Sequence, residues 1–324
     1  MKNTAALCLP VLVAFALSGC ATPPPVAEVR MVAKAFDNLN AASQPLLDDL
    51  ALAERAQGKS AAEARARQRA GDKPASANAT MDHLLQRCPG ILMLGGEGNE
   101  PGVQNSFCID DSYYYSELAD PPGTRAFRQA LAAVGDYTQL LLVLAEGRNI
   151  DEAKGQLQVL AGNVGMALEA AGGGGAGMAL GEALNALDPL IALAARDATA
   201  EELRRVVSQE SPKVRELVTA LRSAASELFR TVTEAPLARF NTEGLTKPEV
   251  ARVEAQRIES YRAGVSSYVV LLDQYSLLLG DLVMVYDKPR GAATVASLAE
   301  RSAQLSAQAD AWRRALAAMR TGLR

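Results

Sequence analysis

The spacing of apolar residues in the last third of the chain restricts the fold more than any other feature. Between residues 258 and 286, apolar side chains recur at alternating steps of three and four, and the pattern starts again between 295 and 323. That period places the apolar side chains on one stripe of an α-helix. The segment Asp287-Lys288-Pro289-Arg290-Gly291 between the two stripes has the composition of a turn. We therefore expect residues 247–324 to form an antiparallel helical hairpin with coiled-coil-like packing.

Helical spacing extends over most of the remaining chain. A first helix is expected over residues 26–57 with a kink at Pro45, and another is expected to open at Ser211-Pro212 with proline at its first position. Further helices are expected near residues 123–146, 150–171 and 177–196. Apolar residues make up 49% of the chain and aromatic residues only 5%, which suits helices packed on small side chains. The predicted fold is therefore all-α, an elongated antiparallel helical bundle.

Two segments interrupt this periodicity. Residues 58–80 lack an apolar stripe, and we expect a partly helical, solvated extension or a mobile linker there. The segment is basic and carries Lys59, Arg65, Arg67, Arg69 and Lys73. Residues 88–123 are dense in Gly, Pro, Asn and Asp, so an irregular loop is expected over that range.

The N-terminus has the build of an export signal. Lys2 precedes an apolar run that is too short to span a membrane comfortably, and small residues follow it. The motif Leu17-Ser18-Gly19-Cys20 resembles the lipobox of bacterial lipoproteins. This resemblance covers only the first 20 residues, and it implies that residues 1–19 are removed and that Cys20 carries lipid. An ordinary signal peptide with a chance cysteine is the alternative.

The resemblance also implies a location. Ala21 follows the lipidated position, where an aspartate would favour retention in the inner membrane, so the outer membrane is expected, with the body on its periplasmic face. Residues 20–25 end in three prolines and are expected to form a short extended tether to a helical body at 26–324. We recognise no family in that body.

Two cysteines remain after export and lipidation, because Cys8 leaves with the leader. Cys88 and Cys108 should form a disulfide in an oxidising compartment, closing a loop of about 20 residues that contributes roughly 3 kcal/mol. Two free thiols or a metal pair are the alternatives. His83 is the only histidine of the chain, so Cys and His alone cannot complete a tetrahedral zinc site.

Charge and motifs argue against several function classes. The full chain has a formal net charge of −4, and nucleic-acid binding requires concentrated positive charge. No GxSxG, SxxK or HExxH motif is present, so we expect neither an enzyme nor a cofactor or metal. Gly58-Lys59-Ser60 matches the end of a phosphate-binding loop, but Ala53 occupies the position of its first glycine. The acid pairs Asp48-Asp49 and Asp110-Asp111 leave acid–base or calcium chemistry open as an alternative to solvated surface.

Two groups of tyrosines are candidate binding residues. Tyr113-Tyr114-Tyr115 follow the predicted disulfide loop, where they either recognise a partner or pack the loop onto the bundle. Tyr261, Tyr268 and Tyr275 are spaced seven apart, so their rings form a ladder along one edge of a helix. That ladder is either a packing seam or the lining of a ligand groove for lipid or glycan.

Two segments also invite a membrane interpretation. Residues 268–286 are apolar on most sides, but Asp273 and Asp281 make a core helix a better interpretation than a span. Gly173, Gly177 and Gly181 lie in the glycine-rich segment 172–181, which is expected to be a hinge or a tight packing surface rather than a membrane-perturbing element.

Together these features predict a membrane-anchored periplasmic lipoprotein. Its expected role is that of a non-enzymatic scaffold, adaptor or inhibitor for an envelope protein partner, with contact to the membrane through the lipid on Cys20. A carrier of lipid or of a small apolar ligand is one alternative, and membrane perturbation belongs to the same class. A hydrolase of envelope polymer that uses paired carboxylates is another.

Overall fold

The computed structural model describes residues 26–71, 91–92, 107–108, 111–171, 176–195, 199–287 and 292–322. These residues are almost entirely helical, which confirms the all-α prediction. The helices are α1 (Val26–Gly71), α2 (Ser112–Tyr115), α3 (Pro122–Ala145), α4 (Ile150–Ala171), α5 (Ala176–Asn185), α6 (Asp188–Ala194), α7 (Ala200–Thr242), α8 (Pro248–Asp287) and α9 (Ala292–Gly322). Two short strands, β1 (Ile91–Leu92) and β2 (Phe107–Cys108), pair antiparallel.

α1 and α3 run antiparallel along most of their length. The carboxylate of Glu54, in the second half of α1, accepts from the backbone N–H of Gly123 at the start of α3 (2.8 Å). Arg30, near the start of α1, pairs with Glu146 directly after α3 (2.6 Å). α4 then packs along α3, and α5 packs against α4 and α7. The N-terminal half of the chain therefore forms a helical layer that the later helices cover.

α7 and α8 form the most extensive helix pair of the fold. They run antiparallel, since Arg222 of α7 pairs with Asp273 of α8 (2.7 Å) and Arg239 pairs with Glu254 (2.8 Å). α7 buries Leu217, Leu221 and Leu228 in the same apolar cluster as the buried residues of α8. α8 is thus held by a helix that precedes it in the chain.

The predicted hairpin is present as the antiparallel pair α8–α9. Asp281 of α8 pairs with Arg301 of α9 (2.6 Å), and the rings of Tyr268 and Trp312 lie 6.1 Å apart. Each helix, however, has its larger interface elsewhere: α8 packs mainly on α7, and α9 mainly on α1. The apolar period identifies the buried stripe of a helix but not the helix that covers it.

α8 lies in the core of the bundle. Tyr268, Tyr275 and Leu279 have no exposed surface, and Leu271 and Leu278 are buried on an adjoining face. Within the described part of the chain, α8 is the one helix long and apolar enough to cross a membrane by length and composition. A core helix has the same composition, and here α8 packs against three other helices, α1, α7 and α9.

Several helix boundaries differ from the sequence expectation. α1 continues past Gln57 to Gly71, so the first part of 58–80 is a helical extension, and 72–80 lies outside the described residues. The expected helix start at Ser211-Pro212 is wrong, because α7 begins at Ala200 and contains Pro212 and Pro236. A proline removes one backbone hydrogen bond, and the apolar stripe buried on both sides of Pro212 outweighs that loss.

The middle of the chain shows two further differences. The helix expected over 177–196 is divided into α5 and α6, with Pro189 in the first turn of α6. Within 88–123, the structure places the β1–β2 pair, α2 and the first residues of α3. Cys88 lies outside the described residues, and for Cys108 only the backbone pairing with Ile91 is described, so the disulfide stays a prediction.

Candidate interaction site

The short helix α2 is held against the distal half of α1 by a close ring contact. The ring of Tyr114 lies on Gly58, and a Cβ at that position would come within 2.2 Å of two ring carbons. Glycine is therefore required at position 58, in the middle of a helix where it otherwise costs about 1 kcal/mol relative to alanine. Of the three consecutive tyrosines, Tyr114 packs α2 onto the bundle.

Two charged residues of α1 fix the turn that follows α2. The guanidinium of Arg55 donates to the carbonyl oxygens of Ser116 (3.0 Å) and Ala119 (2.9 Å). The carboxylate of Glu54 accepts from the backbone N–H of Thr124 (2.8 Å) and from its hydroxyl (2.9 Å), in addition to the bond from Gly123. A carboxylate at this place satisfies unpaired N–H groups at the start of α3 and matches the positive end of the helix dipole. The turn is therefore well ordered before any partner arrives.

The exposed side of α2 presents apolar surface next to positive charge. Tyr113 and Tyr115 are 39% and 43% exposed, and Leu118 in the turn is 99% exposed. The guanidinium of Arg125 lies 4.3 Å from the ring centre of Tyr113, and the Lys59 ammonium lies 5.7 Å from that of Tyr115. Both distances are within the range of cation–π interaction. We call these five residues the aromatic patch.

The heptad tyrosines occupy a different place. Tyr268 and Tyr275 are fully buried, and burial raises the pKa of both phenols well above the ordinary value. The Tyr275 hydroxyl shares a 2.5 Å hydrogen bond with the hydroxyl of Thr138, and its ring centre lies 5.0 Å from that of Phe36. These rings fill the core between α8 and its neighbours, so in this conformation they offer no surface to a ligand. Tyr261 is only partly buried, and burial also raises its pKa.

The paired acids are engaged in structural contacts where the structure describes them. Asp48 pairs with Arg128 (2.6 Å), and Asp49 pairs with Arg320 of α9 (2.6 Å). Burial raises the pKa of Asp49, and the hydrogen bond and charge of Arg320 oppose that shift. Asp111 is buried beside α2, and Asp110 lies outside the described residues. Among the described residues, no group of three or more His, Cys, Asp or Glu side chains could hold a metal ion.

The structure also contains a groove that was not predicted from the sequence. A groove with a cavity volume of about 480 Å³ lies between α8 and α9, and its walls include Val270, Gln308, Ala311, Trp312 and Ala315. One signal could have indicated it: Val270, Leu277 and Met284 are spaced seven apart on α8, yet they are at least half exposed. A second apolar stripe on a core helix indicates surface that the bundle itself does not cover.

Comparison with known proteins identifies no relative. No protein family, no curated protein and no solved structure matches this chain. Cys20 and the leader lie outside the described residues. The function of the protein is therefore inferred from the resemblance of residues 17–20 to a lipobox and from the geometry of the bundle.

Proposed function

We propose that the protein is an outer-membrane lipoprotein, anchored through Cys20, whose helical body acts in the periplasm as an adaptor for an acidic envelope protein. The observation that carries the adaptor role is the aromatic patch. Aromatic and arginine side chains are over-represented among the residues that dominate protein–protein affinity. Here Tyr113 and Tyr115 are exposed on a short helix, and Arg55 and Glu54 fix the turn that follows it, which lowers the entropic cost of binding.

The position of the patch supports a protein partner rather than the anchoring membrane. The tether at residues 20–25 joins the start of α1, and Lys59 lies 33 residues further along the same helix. At a rise of 1.5 Å per residue, that distance along α1 is about 50 Å. An upright bundle would therefore hold the patch far from the lipid headgroups of its own membrane.

The charge of the sequence that contains and follows Lys59 supports an acidic partner. The distal part of α1 and the residues after it carry Arg55, Lys59, Arg65, Arg67, Arg69 and Lys73 against Glu63 and Asp72. This concentration of positive charge stands out in a chain that is acidic overall. Complementary charge steers association and sets the register of the complex, while the aromatic rings supply buried apolar area. The proposed Cys88–Cys108 bridge would restrain the segment just before α2.

Photo-crosslinking in cells tests the adaptor role. A photoreactive phenylalanine analogue at Leu118, which has almost no contact with the bundle, should give a discrete adduct with one acidic protein. The same analogue at Leu245, 80% exposed in the connection between α7 and α8, is the matched control and should not give that adduct. The adduct should disappear when Tyr113 and Tyr115 are both replaced by alanine.

Charge reversal separates an acidic partner from other occupants. Lys59→Glu combined with Arg125→Glu should abolish the adduct at Leu118, because like charges then face each other across the interface. An adduct that persists after this reversal contradicts an acidic partner. Labelling of phospholipid instead of protein contradicts the adaptor role and favours a membrane-facing patch.

The anchor is tested independently of the patch. Wild-type cells should incorporate labelled fatty acid into the protein, and Cys20→Ala should take up none and keep an uncut or miscut leader. Wild-type protein with no label and a free amino terminus at another residue would exclude the lipoprotein assignment while leaving the patch proposal open.

A further inference from the structure

The groove between α8 and α9 has the dimensions of a small-molecule site. Its volume of about 480 Å³ lies within the range of about 300–1,000 Å³ typical of ligand pockets. Val270, Leu271, Ala311 and Ala315 make its walls largely apolar. The groove follows the direction of two antiparallel helices, and the exposed side chain of Leu277 extends the apolar surface along α8. An elongated apolar molecule matches this shape.

Unpaired polar atoms lie in the walls of the groove. The indole Nε1 of Trp312 and the side-chain Oε1 of Gln308 are buried and have no hydrogen-bond partner among the described residues. Trp312 is only 5% exposed, so the unpaired N–H is a substantial cost. An unsatisfied buried donor or acceptor costs about 1–3 kcal/mol. The hydroxyl of Tyr268, whose ring neighbours Trp312, is buried and unpaired as well.

The chemistry of these unpaired atoms indicates which polar group of a ligand could form hydrogen bonds with them. Trp312 supplies a donor and Gln308 an acceptor, and Gln308 precedes Trp312 by one helical turn. A hydroxyl or a primary amide can accept from the first and donate to the second, whereas an ether or an ester can only accept. Trp312 Nε1 and Gln308 Oε1 are both shielded from solvent in this conformation. The half-buried, unbranched side chain of Gln308 must therefore rotate before a ligand can reach them.

We propose that the α8–α9 groove binds a single linear apolar molecule that ends in a hydroxyl or primary amide. The chain lies along the helices against Val270 and Ala311, and the polar end reaches Trp312 and Gln308. The proposed ligand is a free molecule rather than a lipid of the bilayer, because the groove is sized for one small molecule. This site is separate from the aromatic patch and does not depend on the adaptor role.

Trp312 allows a direct test because it is the only tryptophan of the chain. Residues 21–324 contain every described helix, so this form without the leader can be titrated with 2-bromo-1-decanol, whose bromine lies beside the hydroxyl that is proposed to reach Trp312. Bromine quenches indole emission at short range, and we expect saturable quenching. The same chain with a methyl ether in place of the hydroxyl should bind at least fivefold more weakly, because it cannot donate to Gln308.

Two variants separate the groove from non-specific binding. Ala311→Leu combined with Ala315→Leu fills the groove from exposed positions and should weaken binding at least tenfold, whereas Ala317→Leu, exposed on the same helix but outside the groove, should leave it unchanged. In Gln308→Leu, the difference between the alcohol and the ether should vanish, which no general loss of stability would produce.

Four outcomes would overturn the proposal. Unsaturable quenching, or equal quenching in the filled variant, would show that the bromoalcohol does not occupy the groove. A preference for the alcohol over the ether that persists in Gln308→Leu would show that Gln308 does not accept a hydrogen bond from the hydroxyl of the ligand. Quenching of Trp312 by vesicles of brominated phosphatidylcholine would show that the groove faces a bilayer.

Discussion

A pair of substitutions on α8 tests whether the bundle core is placed correctly. Leu279 has no exposed surface, whereas Leu277, two residues earlier on the same helix, is 56% exposed. Leu279→Asp forfeits about 2–3 kcal/mol of apolar burial and adds several kcal/mol for an unpaired buried carboxylate. The expected loss is about 5 kcal/mol or more, comparable with the entire free energy of unfolding of many proteins.

Leu277→Asp makes the same chemical change on the exposed face of α8. It should stay within about 1 kcal/mol of the parent, since little apolar surface and no carboxylate burial are involved. Thermal melts of residues 21–324 compare the two variants, and the midpoint for Leu279→Asp should fall by about 10 °C or more, if the region folds at all. If the two variants melt alike, the burial of α8 and the antiparallel packing of α7, α8 and α9 are wrong.

Three further predictions test other parts of the molecule. In denaturant titrations, Gly58→Ala should destabilise the chain by about 1–3 kcal/mol and disturb the packing of α2 that positions the aromatic patch, because the added Cβ overlaps a tyrosine ring of α2. Gly155→Ala has nothing near its added Cβ, so it should be neutral or stabilising by up to about 1 kcal/mol. Burial raises the pKa of Asp136 on α3, so the folded state binds the proton more tightly than the unfolded state does. In urea melts, the stability of the parent relative to Asp136→Ala should therefore increase as the pH falls from about 7 towards about 4. A stability difference that decreases over this range would contradict the raised pKa. Protein taken from the periplasm should resist thiol alkylation at Cys88 and Cys108 until it is reduced, and full alkylation without reductant would exclude the bridge.

The fold class and most helices could be predicted from the sequence because helix formation depends on short-range periodicity. The stripe through Tyr268 and Leu279 predicted burial of both residues, and each is fully buried. The expected starts at residues 123 and 150 agree with α3 and α4 within one residue. The start of α7 was predicted wrongly because Ser-Pro is typical of the first turn of a helix, whereas the packing on both sides of Pro212 maintains a longer helix here.

The candidate sites depended much more on tertiary structure. Three consecutive tyrosines are equivalent in a sequence, and only the contact with Gly58 separates the packed Tyr114 from the exposed Tyr113 and Tyr115. The sequence does not indicate that Arg125, ten residues after Tyr115, lies over the ring of Tyr113. That arrangement depends on how α3 returns along α1.

By itself, the sequence determined the helical class, the buried stripes of α8 and α9 and, through the resemblance at Leu17–Cys20, the expectation of a lipid anchor. These properties depend on residues within two or three helical turns of one another, so the order of amino acids encodes them directly. The tertiary structure decided which helix covers which stripe: α7 rather than α9 is the main neighbour of α8. It also decided which apolar residues stay uncovered, since Val270 and Leu277 are at least half exposed although they are as apolar as their buried neighbours on α8. Those choices depend on contacts between residues far apart in the chain, and the aromatic patch and the groove both arise from them.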